Sequence, residues 1–164
     1  MNQTPLRSPT VFNFYLPDYQ FPGILATAGL ITPEFQLTSE TSVIRQANFI
    51  YGGIFNDTLG QRGLASFRDG GRDIVVDLRP WITGLRSGLP WSHNNNVNAL
   101  IDELNTRLMG GQLPVGAKTI ISTYIQTLPY TTPTVSDPVP INNRDRVRSL
   151  VHLMVTSPDF TIQK

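Results

Sequence analysis

The chain has 164 residues, of which 40% are apolar and only 15% charged, with a net charge of +1 and no cysteine. That length fits one domain with one core of ordinary size, and the near-neutral charge removes the electrostatic basis for binding nucleic acid or an anionic membrane. Without cysteine there is no disulfide framework, no thiolate metal site and no cysteine nucleophile, and cytosol and periplasm suit such a chain equally.

Residues 1–37 carry Pro5, Pro9, Pro17, Pro22 and Pro33 among Phe12, Phe14, Tyr15, Tyr19, Phe21 and Phe35. Prolines at that density prevent a long helix. So many aromatic rings predict an extended arm packed across an apolar surface, with one or two helical turns between Gly23 and Ile31. The opening residues, Met1 to Arg7, hold no apolar h-region, so no signal peptide is expected on this chain. No run approaches the roughly 18 apolar residues of a membrane span.

A phrase recurs near both ends. Thr32-Pro33-Glu34-Phe35-Gln36 and Ser157-Pro158-Asp159-Phe160 each follow an apolar run. A hydroxyl residue, a proline, a carboxylate and a phenylalanine in that order are read as a helix exit closed by an aromatic plug, with the C-terminus docked.

Thr38-Ser39-Glu40 supplies capping residues for a first long helix, whose inner face is Val43, Ala47, Ile50, Tyr51 and Ile54. Gly52-Gly53 weakens its last turns or admits a close neighbour. Residues 56–72 read as a loop punctuated by glycine. Ile74 to Leu78 forms a short strand or a helical turn, ended by Pro80, and strand content is confined to 73–79. A second loop, 84–96, ends in the cap residues Ser92-His93-Asn94-Asn95-Asn96.

Val97, Leu100, Ile101, Leu104 and Leu108 then mark a helix with Asp102, Glu103 and Arg107 on its opposite face, stopped by Gly110-Gly111. Pro114 opens the next helix, with Ala117, Ile120, Ile121, Tyr124 and Leu128 inward. Residues 129–141 carry four prolines and make an ordered crossing or a mobile loop. Asn142 or Asn143 caps the last helix, which turns Val147, Leu150, Val151, Met154 and Val155 inward and Arg144, Asp145 and Arg148 outward. The fold class is therefore mainly α: an irregular bundle of about four amphipathic helices with a Pro/aromatic-rich extended N-terminal arm and long loops. Residues 1–37 are the arm and 38–164 the helical body of a single domain.

Eleven Arg stand against two Lys, Lys118 and Lys164. This choice favours contacts to carbonyls and partly buried pairs, although a GC-rich genome would produce it equally. Arg144, Arg146 and Arg148 beside Asp145 alternate in sign and read as surface pairing. His152 reads as a structural histidine at the edge of the core and His93 as a cap or loop residue. No nucleophile elbow supports a Ser-His-Asp unit built on Ser92. Asp69, Asp73 and Asp77 recur every four residues around Gly70-Gly71, a spacing that fits neither an EF-hand nor a nonapeptide repeat, so turn chemistry and local pairing with Arg are expected. Asp102-Glu103 is splayed around the helix and makes a solvent face, not an acid/base dyad. Phe12, Phe14, Tyr15, Asp18 and Tyr19 are the candidate ligand groove, for carbohydrate or peptide, under the aromatic arm; the competing reading is that these rings staple the arm to the helices.

Several segments together carry a family resemblance. SPTVFNF at 8–14, Pro22-Gly23, AGL at 28–30, PEFQ at 33–36, NTRLMGGQL at 105–113 and DRVRSLVHLMVTSPDFTIQK at 145–164 resemble the C-terminal region of the bacterial domain-of-unknown-function family numbered 1800. The likeness covers both ends and the second half, and the middle, 56–96, poorly. Members of that family are several times longer and commonly exported. The resemblance thus implies the C-terminal part of a larger periplasmic or secreted protein, with no established activity to carry onto positions here.

The expected function is a non-catalytic structural or interaction module whose partner is the rest of a longer chain or another protein. It is expected to need no cofactor, to bind no nucleic acid and to span no membrane. The alternative is part of an enzyme whose catalytic residues lie in a missing N-terminal portion.

Overall fold

The computed structural model describes residues 6–8, 11, 14–38, 40–55, 61–63 and 75–161. It is mainly helical, and the chain divides into two compact units, Met1–Phe49 and Ile50–Lys164.

In the first unit a four-residue helix, α1 (Ile24–Thr27), starts at Gly23, whose φ of 113° is one that residues with a Cβ rarely adopt. Thr32 anchors the strap before it: its N–H donates to the Tyr19 carbonyl at 2.7 Å, and its hydroxyl accepts from the Phe21 N–H at 2.9 Å. The Phe21 and Phe35 rings meet at 5.2 Å. Helix α2 (Glu40–Phe55) follows, its residues 40–49 in this unit and 50–55 in the second. Val43, expected on its inner face, is 52% exposed, and none of the described residues of Met1–Phe49 is fully buried.

The recurring phrase is an entrance, not an exit. Pro33–Gln36 forms a 3-10 turn, and Pro158–Thr161 forms the short helix α7. In the second copy the Ser157 hydroxyl accepts from the Phe160 N–H at 3.3 Å while donating to the Met154 carbonyl at 2.7 Å. Proline suits the first helical position because its missing N–H would have had no partner there, and in the second copy Asp159 stands in the first turn, at the positive end of the helix. Phe160 stays exposed, so the expected plug does not form.

In the second unit, strand β1 (Gln61–Gly63) pairs antiparallel with β2 (Val75–Asp77), Gln61 facing Asp77. The four-residue helix α3 (Arg79–Ile82) carries Pro80 in its first turn. A minimal hairpin then joins β3 (Leu85–Arg86) to β4 (Leu89–Pro90). Ser87 and Gly88 turn it with φ of 52° and 77°, the pair of positive values of a type I′ hairpin turn. Strand content therefore reaches beyond 73–79, into both segments expected to be loops. Gly84 sits so close to the preceding turn that a Cβ on it would lie 2.1 Å from the Pro80 carbonyl oxygen.

Helices α4 (Val97–Met109), α5 (Val115–Thr127) and α6 (Ile141–Val155) carry most of the core. Val97, Leu100, Ile101 and Leu104 pack with Ile121, Ile125, Val147, Leu150, Val151 and Met154, joined by Ile54 at the end of α2. Gly110 ends α4 at φ 58°. Asn105 holds the α4–α5 connection twice, its carbonyl accepting from the Gly111 N–H at 3.1 Å and its side chain from the Leu113 N–H at 3.0 Å.

Packing overrides the expected faces in three places. Met109 takes the buried position expected for Leu108. On α5 Ile121 is buried as expected and Ile125 joins it, while Ile120 is 72% exposed and Tyr124 is also exposed. On α6, Arg148 is buried instead of facing out. Pro114 precedes α5 as its cap residue, and Pro140 does the same for α6.

Candidate functional site

The asparagines expected to cap α6 do other work. Asn143 accepts from the Thr131 N–H at 3.0 Å and donates to the Thr131 carbonyl at 2.8 Å, and Asn142 donates to the Thr131 hydroxyl at 2.8 Å. Together they clamp the proline-rich crossing onto the helix. Further along, the Thr134 hydroxyl accepts from the Asp137 N–H at 3.0 Å and closes a turn in the crossing. The crossing is ordered because its unpaired backbone groups find side-chain partners.

Arg146 lies at the centre of this region and is only 1% exposed. Its Nε donates to the Ser92 carbonyl at 2.9 Å, its Nη1 to the Leu128 carbonyl and its Nη2 to Asn94 Oδ1. All three acceptors are neutral. Burial pushes the guanidinium below its ordinary pKa, because the charged form is the one that loses water. The Tyr130 ring lies over it, 5.9 Å from Cζ. The carbonyl contacts expected of an arginine-rich chain are realised here, whereas the surface pairing expected of Arg146 is not.

On the other side of the crossing Asn96 gathers the hairpin, its Nδ2 facing the carbonyls of Arg86, Leu89 and Pro90 at 3.0, 3.1 and 2.9 Å. Hairpin and crossing are thus fixed separately, and a cleft of about 330 Å³ lies between them. Leu85, Gly88, Leu89 and Pro90 line it from the hairpin, Ile82 and Thr83 from the end of α3, and Asn143 from α6. The crossing contributes Tyr130, Thr132, Pro133, Pro138 and Val139. The surface is mostly aliphatic and prolyl, with hydroxyls from Thr83, Thr132 and Tyr130.

The other candidates fall into local roles. His93 caps a 3-10 turn at Asn94–Asn96, its Nδ1 accepting from the Asn95 N–H at 3.2 Å, and its ring meets Tyr130 edge-on at 5.0 Å. The Ser92 hydroxyl is buried without a partner and so is not joined to His93 in any relay. His152 stands edge-on to the stacked rings of Tyr51 and Phe55, at 5.8 and 6.0 Å, with its Nε2 buried and unpartnered. Asp102 pairs with Lys118 and Glu103 with Arg107, each at 2.6 Å. Arg79 takes Asp77 with its Nε at 3.0 Å and Nη2 at 2.8 Å, which holds that carboxyl below its usual range. Asp69 and Asp73 lie outside the described residues. Among the described residues no group of three His, Asp or Glu could hold a metal ion.

Of the aromatic arm, Phe12 lies outside the described residues. Phe14 and Tyr19 are half-buried, while Tyr15 and Asp18 are exposed. Among the described residues no ring contact joins Phe14, Tyr15 and Tyr19 to one another.

Sequence spacing could have revealed Arg146. It belongs to the series 143, 146, 147, 150, 151 and 154, which is the buried face of α6. Among the described residues no helix is long and apolar enough to cross a membrane. No family model matches this chain, and no match was found among curated proteins or among solved structures.

Proposed function

We infer that the chain is a non-catalytic interaction module and that a partner segment docks in the cleft between the β3–β4 hairpin and the 129–140 crossing. The single observation that carries this reading is the construction of that cleft. Its walls are aliphatic, prolyl and hydroxyl surfaces, and each wall is held by its own buried polar clamp, Asn143 on one side and Asn96 on the other. A pre-formed, largely apolar cavity with a few hydroxyls favours binding, because little ordering is left to be done when a ligand arrives. The histidines and the acidic pair of α4 support the same reading, since each is engaged in a cap, a ring contact or an ion pair. Membership of a larger exported bacterial protein rests on the likeness of residues 8–36 and 105–164 to the family described above.

The test is selection of peptides from a library against the full chain, with binding mapped by amide chemical shifts. Thr132 is exposed and lines the cleft, so Thr132→Trp fills the space with little risk to folding. Selected peptides should shift resonances of 85–90 and 130–139 and bind Thr132→Trp at least tenfold more weakly. Equal binding to both proteins, or shifts elsewhere, would overturn the reading.

A further inference from the structure

We propose that the cleft captures the free C-terminal carboxylate of a partner chain whose last residues are apolar. This deepens the interaction reading and rests on it. The argument is charge complementarity. Arg146 is a buried cation whose bonds all go to neutral oxygens, and among the described residues no carboxylate bonds to it. Asp145, its sequence neighbour, is taken by Arg148 at 3.3 Å. Tyr130, whose ring lies over the guanidinium, is itself part of the cleft wall. An uncompensated charge behind a low-dielectric wall projects a positive potential into the cavity.

The charges at the rim do not cancel it. Asp137, beside the lining residue Pro138, is exposed to solvent, where salt screens it over about 10 Å. Arg86, next to the lining residue Leu85, is equally exposed and equally screened, so the two rim charges offset each other and the buried Arg146 sets the sign. Tyr130 and Thr132 bring hydroxyls that bond to no other described residue and can donate to a carboxylate. The volume, about 330 Å³, is at the low end of the ~300–1,000 Å³ that ligand sites occupy, which suits a chain end better than a long running segment.

The experiment titrates the isotopically labelled full chain with acetyl-capped apolar hexapeptides ending either in a free carboxylate or in an amide. The free acid should bind at least tenfold tighter, with shifts at Tyr130 and Thr132 and an advantage that shrinks in high salt. Thr132→Val removes one hydroxyl while keeping the side-chain shape, and should weaken the acid several-fold and the amide by less, because a bond to a charged acceptor is the stronger one. Equal affinity of acid and amide at the cleft overturns the carboxylate inference and leaves the docking reading standing. If neither peptide shifts the cleft resonances, the inference fails; the docking reading fails with it only when the library selection also returns nothing.

Discussion

Replacing Arg146 with methionine strips the donor from three acceptors at once: the carbonyls of Ser92 and Leu128 and the Asn94 side chain. A hydrogen bond from a charged donor contributes about 1.5–3 kcal/mol, fully at the buried Ser92 carbonyl and less at the part-buried Leu128 and Asn94 oxygens, which can turn to water. Removing the cation also removes the cost of holding a charge out of water, which offsets part of that sum. The net loss should be about 3–5 kcal/mol, comparable with breaking a buried charged pair, out of the ~5–15 kcal/mol that a domain typically has. With a urea m-value of about 2 kcal/mol/M, the unfolding midpoint should fall by about 1.5–2.5 M. Trp81 and Trp91, both partly buried against the core, report the transition by fluorescence. Lysine at the same position keeps the charge but cannot fan three donors across three acceptors, so Arg146→Lys should lie between wild type and methionine. A methionine variant within about 1 kcal/mol of wild type at unchanged m would refute the assignment of Arg146 as the tie between α6, residues 92–94 and Leu128.

Glycine substitutions should separate two kinds of constraint. Gly110→Ala meets open space and only the cost of a left-handed backbone, about 1–2 kcal/mol, whereas Gly84→Ala drives a Cβ into the Pro80 carbonyl and should destabilise more; equal melting temperatures would contradict this. On α5, Ile125→Ala should cost about 2–5 kcal/mol and Ile120→Ala within about 0.5 kcal/mol, an order that chemical denaturation can reverse if the observed face is wrong. Arg79 lowers the folded pKa of Asp77 below its ordinary 3.8, so the pair's contribution to stability is present above that value and lost as the pH falls through the folded one. Arg79→Met should raise the Asp77 midpoint in a carboxyl-carbon NMR titration; an unmoved midpoint would show that the pair does not form in solution.

The long helices were legible because their apolar spacing is strong and their stops are glycine or proline. Gly110 sits where a left-handed residue must end α4, and Val147, Leu150, Val151 and Met154 are buried as their period demands. Helix α5 was only half legible. It carries two overlapping apolar stripes, one through Ile120 and Tyr124 and another through Ile125, and periodicity does not say which one meets a neighbour. The hairpin was missed because each strand has only two residues, too few for an alternation to register, although Ser87-Gly88 is a turn signal. The cleft was not legible at all: its walls come from segments some 40 residues apart that are held together by asparagine and arginine bonds to backbone carbonyls. A carbonyl acceptor leaves no mark in a sequence, so neither Asn143 nor Arg146 announced its partner.

The ties made by Arg146 span 54 residues to Ser92 and 52 to Asn94, while Asn105 closes a loop of only eight to Leu113. Short loops close cheaply and long ones late, so the α4–α5 corner should be formed at the folding barrier and the Arg146 knot should tighten after it. Loss of Arg146 would then leave the refolding rate nearly unchanged and appear almost wholly as faster unfolding. The buried guanidinium would act as a kinetic lock, setting how long the native state persists more than how quickly it is reached. Stopped-flow refolding slowed in proportion to the lost stability would place the knot before the barrier instead.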